Sequence, residues 1–206
     1  MNRVTLTAAM SVLRQKLSEL FSAQRAPAGY QPGRTLGQLR RNLGLARFEQ
    51  VSPTLARVAL DDDSLHLEIR ERTESQLLMH LVMTEFSVRL PASTEGAASF
   101  ALHHGGAVRR TGIHCRQRMG ERALLGQLQA RLQHDSALHQ ALMPLDFKRL
   151  HIELRDHQWH VCLEHMGGSE VVNRMPAFRR YIALSRVQRD ALLAALVGLQ
   201  RVLRTL

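Results

Sequence analysis

Three shortages in this chain each close off a route to function. Lysine is nearly missing: of 28 basic residues only Lys16 and Lys148 are lysines, and the rest are arginines. Aromatic residues make up 4% of the 206 positions, with one Trp and two Tyr, which weighs against a nucleic-acid module built on rows of stacking rings. Cysteine occurs only at Cys115 and Cys162, too few for a disulfide framework; two reduced thiols in a cytosol are the simplest expectation. Long apolar runs are absent as well. The longest apolar candidates, residues 4–13, 75–84 and 191–200, fall well short of the roughly 20 apolar residues that a membrane-spanning helix needs. Arg3 ahead of residues 4–13 has the look of an export signal, but Arg14 and Lys16 follow at once and no small-residue cleavage site ends the run. Export is not expected.

What the chain does have is arginine, giving a formal net charge of +10 against 18 acids. The guanidinium stays charged at any working pH and forks onto carboxylate and phosphate, so the surplus points to an anionic partner. It is equally what a GC-rich codon bias would leave. The charge is uneven, however: residues 1–50, 101–150 and 151–206 are basic, whereas residues 51–100 carry four arginines against eight acids. Codon bias alone does not make that segment acidic. Asp61, Asp62, Asp63, Glu68, Glu71 and Glu74 read either as a solvated turn and strand face or as a negative face that serves the basic segments.

Leu6, Met10, Leu13, Leu17, Leu20 and Phe21 recur at helical spacing, predicting an amphipathic helix over residues 5–22. Pro27, Gly29, Pro32 and Gly33 then break regular structure and read as a linker. Residues 1–34 are thus expected to form a helical arm and Pro/Gly linker. The arm would dock on the domain, join two copies as a homo-oligomer through residues 5–22, or lie on an acidic membrane surface. Thr35 is placed to cap a short helix to about Leu45 with Leu36, Leu39 and Leu43 buried and Arg40 and Arg41 facing out.

The period then changes to two. Leu65, Leu67 and Ile69 alternate with His66, Glu68 and Arg70, predicting a strand that pairs with residues 77–90. Residues 100–104 and 108–115 predict a hairpin around Gly105 and Gly106. Helix returns over residues 120–134 and on toward Leu142. Leu150, Ile152 and Leu154 give the clearest strand signal; a turn at His157 and Gln158 would pair Leu154 with Val161 and Ile152 with Leu163. Gly167 and Gly168 read as a second turn completing a meander, and a strand at residues 181–184 leads into a helix whose Ser185 and Gln188 match a capping box.

Residues 65–72 (LHLEIRER) and 150–157 (LHIELRDH) echo each other, so the domain admits a two-fold internal pseudo-repeat with halves 35–104 and 105–206. Two amphipathic strands share half of such a pattern by alternation alone. Chemically, the polar face of the second strand pair collects His151, Glu153, Arg155, His160, Cys162 and Glu164, with Glu153 expected opposite Cys162 and His151 opposite Glu164. His151, His160, Cys162 and Cys115 would make a zinc set only if Cys115 came close; no Cys-x-x-Cys or His-Glu-x-x-His occurs, and a solvated sheet face is the plainer expectation. Neither catalytic residues nor a metal or cofactor are therefore assigned. The basic-surface candidates are Arg40 with Arg41, Arg109 with Arg110, and Arg179 with Arg180, the last pair flanked by Phe178 and Tyr181.

The segment of residues 150–168, the segment RMPAFRRYIAL at 174–184 and the Leu-rich closing helix resemble a small family of uncharacterised proteins of about this length from Pseudomonas-like proteobacteria. The resemblance implies a Gram-negative cytoplasmic protein and brings no catalytic residues. The expected architecture is a single α+β domain over residues 35–206, antiparallel hairpins and a meander packed with amphipathic helices. The expected role is a non-catalytic interaction protein for an anionic protein, nucleic acid or acidic lipid, in the cytoplasm or peripheral to the inner membrane.

Overall fold

A computed structural model describes residues 30–60, 65–75, 79–106, 110–174 and 176–206. The helix expected at residues 5–22 and the run Asp61, Asp62, Asp63 lie outside them. In chain order the elements are α1 (Arg34–Leu43), β1 (Phe48–Ser52), β2 (Leu55–Leu60), β3 (Leu65–Ser75), β4 (Met79–Pro91), β5 (Ala98–Gly105), β6 (Gly112–Met119), α2 (Arg122–His134), α3 (Ser136–Leu142), β7 (Phe147–Arg155), β8 (Gln158–Arg174), β9 (Ala177–Ile182) and α4 (Arg186–Leu203). All nine strands join one antiparallel sheet in the order β1, β2, β3, β4, β8, β7, β5, β6, with β9 paired to the second half of β8.

This is a mainly β fold, and it corrects the α+β expectation. Two features hide the extra strand content. The short strand β1 leaves no periodic trace, because it buries only Phe48 and so shows no alternation. Gly167 and Gly168 do not turn the chain; β8 runs through them and only changes partners, from β7 to β9. Gly168 takes φ +87°, and a Cβ there would stand 3.0 Å from Leu39 Cδ1, so the glycine lets α1 press on bare backbone. The helices contribute less core than expected, α2 burying Leu128 alone.

The pseudo-repeat also fails at the level of topology. Strands β1 to β4 form a simple meander, but β5, at the end of the first half, lies beside β7 and β6 of the second half, and β9 has no counterpart. Residues 65–72 and 150–157 are alike because each opens a hairpin of the central four strands, β3–β4 and β7–β8.

The β7–β8 turn consists of Asp156 and His157, both at positive φ, 50° and 55°. Such a two-residue turn matches the natural strand twist. It shifts the expected register by two: Leu154 pairs with Trp159 and Ile152 with Val161, so Glu153 stands opposite His160 and His151 opposite Cys162. A shift of two leaves every side chain on its expected face.

One face of the sheet is apolar. Ile69, Phe86, Phe100, Ile152, Trp159 and Leu163 are fully buried on it, beneath Leu192, Leu196 and Leu199 of α4 and Leu36 and Leu39 of α1. Each such side chain contributes about 1.5–3 kcal/mol by leaving water. Ser185 and Gln188 form the expected capping box at the start of α4.

Two carboxylates sit in this apolar layer and hold α1. Glu71, on β3 and 6% exposed, accepts from the backbone N–H groups of Gly33 (3.0 Å) and Leu36 (2.9 Å) and from the Tyr30 hydroxyl (3.1 Å). It does for the helix N-terminus what Thr35 was expected to do, and its charge suits the positive end of the helix. Gly33 is the N-cap instead, and the Thr35 hydroxyl donates to Glu170. Glu170, 2% exposed, also receives Nε and Nη2 of Arg179 at 3.0 and 2.8 Å.

Candidate functional site

Alternation along the strands sends every second residue to the other side of the sheet. There the side chains are charged or polar. One row of cross-strand neighbours runs Arg57, Glu68, Ser87, Cys162, His151, Ala101, Arg116 from β2 to β6. In a second, Arg89 faces His160 and His160 faces Glu153.

Between β2 and β7 this face largely balances its own charge. Arg57 lies 3.4 Å from Glu68; Arg72 lies 2.9 Å from Glu85 and 3.4 Å from Glu164; Arg149 lies 3.6 Å from Glu164 on its other side. Lys148 pairs with Glu74. Toward β6 the balance ends, since Arg116 and Arg118 form no ion pair among the described residues. Both are exposed, and alternation puts Arg118 on the same side as Arg116, beside a register shift opposite Ser99 and Phe100.

Two adjoining cavities mark the place. One, of 350 Å³, surrounds Cys162 and includes Glu85, Glu153 and Glu164. Its neighbour, of 430 Å³, lies over Ala101 and is bordered by Arg116, Arg118, Lys148 and Arg149 with His103. Arg118, Arg149 and His151 line both. A larger concavity of 730 Å³ at the β1–β3 end mixes apolar wall with Arg47, Glu49, Arg57, Glu68 and Arg89. It is the roomier space, but both charge signs line it.

Burial lowers the pKa of His151, and the Arg118 and Arg149 guanidiniums lower it further; burial and Arg89 do the same to His160. Both rings are neutral at pH 7. Burial, with the Glu85 carboxylate beside it, pushes the Cys162 thiol far above the usual range, and burial alone takes Cys115 up to about 11. A thiol so protonated is a poor nucleophile. Cys115 pairs with Leu102 and packs against the core, on the opposite side of the sheet from Cys162. The set His151, His160, Cys162 and Cys115 therefore does not converge, and no group of three or more metal-ligating side chains occurs among the described residues.

The predicted arginine pairs occupy separate places. Arg40 and Arg41 are exposed on the last turn of α1. Arg110 donates to the Met143 carbonyl at 2.7 Å and to Asp146 at 3.3 Å, and Arg109 lies outside the described residues. Arg179 is clamped on Glu170, while Arg180 is exposed near Phe178. The residues that do gather, Arg116, Arg118 and Arg149, are not among the sequence candidates. Arg-x-Arg on a strand puts both guanidiniums on one face, and that spacing is the signal that could have found them.

A single antiparallel sheet, with helices on one side and on the other a face of arginine, glutamate and histidine that no described element covers, defines a mainly β protein. No helix among the described residues is long and apolar enough to cross a membrane. The chain belongs to the family described as "Protein of unknown function (DUF3156)", which matches residues 41–203. No curated protein and no solved structure matches it.

Proposed function

We propose that this is a non-catalytic interaction protein of the bacterial cytoplasm that engages an anionic partner through the uncovered face of its sheet. The observation that carries this is the pair Arg116 and Arg118: two exposed guanidiniums, free of ion pairs among the described residues, that border one cavity together with Lys148 and Arg149. Arg40, Arg41 and Arg180 supply a second and more scattered basic region on the other elements.

A chain of charge +10 sticks to any polyanion at low salt, so the test compares variants of equal charge. Arg116→Glu/Arg118→Glu and Arg40→Glu/Arg41→Glu lower the net charge equally. Salt-dependent retention on heparin and retardation of single-stranded oligonucleotide are measured for both. The first variant is expected to lose about tenfold more affinity than the second. Equal losses would mean that only dispersed charge binds, and the assignment to this face would fall.

A further inference from the structure

The charge on the open face is uneven, mixed around Cys162 and cationic around Ala101, where Lys148 and Arg149 also reach Glu74 and Glu164, and that narrows what the face can hold. Over Ala101 the 430 Å³ cavity is bordered by four cations, Arg116, Arg118, Lys148 and Arg149, and among the described residues no carboxylate lines it. Immediately beside it, Glu85, Glu153 and Glu164 line the neighbouring cavity. An anion that extends from the first site toward β8 leaves an all-cationic border for one where the three carboxylates stand among Arg72, Arg118 and Arg149. A long polyanion is thus disfavoured across this face, and a short one is not.

The floor sets the depth. Ala101 lies between Arg116 on β6 and His151 on β7, and its small side chain leaves a hollow where larger neighbours stand up around it. Strands are spaced about 4.8 Å apart, so the cations of β6 and β7 reach in from opposite sides of a gap of about 10 Å. A single small anion touches one side only. Two or three phosphoryl groups joined together span the gap and accept bidentate forks from several guanidiniums. The volume is that of a small-molecule site. No Phe, Tyr or Trp lines either cavity, so neither offers the aromatic platforms on which a single-stranded nucleic acid stacks its bases. The depressed pKa of His151 agrees, because the pull of Glu153 and Glu164 does not offset burial and the two arginines.

We infer that the hollow over Ala101 is a binding site for a compact oligophosphate, held by Arg116, Arg118 and Arg149 with Lys148 at its rim. This rests on the proposed anion-binding face and specifies its ligand. The two are separable by experiment. Ala101→Leu fills the hollow without changing any charge, and Ala101 stands on the uncovered face, away from the core.

Calorimetry with inorganic tripolyphosphate at moderate salt is expected to show one site per chain, and Ala101→Leu to weaken it about tenfold or more while heparin retention stays unchanged. The His151 imidazole resonances should move on addition of tripolyphosphate to the wild-type chain. A nucleoside triphosphate binding more tightly than tripolyphosphate would identify a nucleotide as the source of the phosphates; equal affinity would identify the phosphate chain alone. Tripolyphosphate binding that Ala101→Leu leaves intact, or a still His151 signal, overturns the inference and leaves the face assignment standing. A single-stranded oligonucleotide that displaces tripolyphosphate and binds more tightly also overturns it. Should Ala101→Leu fold poorly, Arg118→Gln serves in its place, with the same loss expected.

Discussion

The two faces of the sheet are built from alternate residues of the same strands, yet they treat charge in opposite ways. On the covered face charge is rare and every carboxylate is engaged: Glu71 receives three donors, and Glu170 receives Thr35 and both prongs of Arg179. On the open face charge is plentiful and engaged in part. Ion pairs such as Arg57 with Glu68 stand near water, where a pair contributes about 0–1 kcal/mol, and Arg116 and Arg118 have none among the described residues. One strand can therefore serve packing with one set of residues and recognition with the next. Phe86 on β4 belongs to the core and its near neighbour Arg89 to the surface.

The contrast is broken most directly at that strand. Phe86→Ala should cost about 3–5 kcal/mol in chemical denaturation, and Arg89→Ala less than about 0.5 kcal/mol. Comparable losses would mean that both faces carry the fold. Next in size is Glu71→Gln, which sets amide hydrogens against the Gly33 and Leu36 donors. A loss of about 1–3 kcal/mol is expected, with faster hydrogen exchange at the start of α1; an unchanged exchange rate would remove the carboxylate from its role as cap.

Acid should probe the covered face further. His165 is fully buried, and burial lowers its pKa from 6.5. Its Nε2 accepts from the Asp146 N–H at 3.0 Å, so a proton on that nitrogen would face a donor. Because the folded value lies below the unfolded one, the unfolded chain takes the proton first as pH falls. The stabilisation is complete above about 6.5 and declines from there toward the lowered folded value. Tm is accordingly expected to drop between pH 7 and pH 5. His104, His151 and His160, all lowered by burial first, act in the same direction. His165→Gln should flatten the profile, and a slope as steep as wild type would place the effect on the other three rings. The smallest effect belongs to the open face: a double-mutant cycle on Arg57 and Glu68 should give a coupling under about 1 kcal/mol that disappears in high salt.

Much of this contrast is legible in the order of the residues alone. Alternation in residues 65–70 and 150–155 assigns each side chain to its face, and the error of two in the β7–β8 register does not disturb the assignment. Leu36, Leu39 and Leu43 mark α1, and Ser185 with Gln188 marks the start of α4. The rest depends on contacts between distant residues. Nothing local says that β4 lies beside β8, or that β5 displaces β6 from β7. A glutamate in a strand reads as solvent-facing, and Glu71 looks no different from Glu68 and Glu74 in a negative face. Only the arrival of a helix N-terminus from far away in sequence makes its burial favourable. The hollow over Ala101 is hidden for a related reason, since it depends on the least conspicuous residue in its row.

The buried seating of α1 also fixes how this molecule answers to ionic strength. Mobile ions screen charges in water over about 10 Å at 0.1 M, but they do not enter a layer from which water is excluded. Glu71 and Glu170 therefore keep hold of Tyr30, Gly33 and Thr35 in brine that strips the outer arginines of any anion. A salt titration reads one side of the sheet and is blind to the other, and an anion held on the open face could be washed away without loosening the fold.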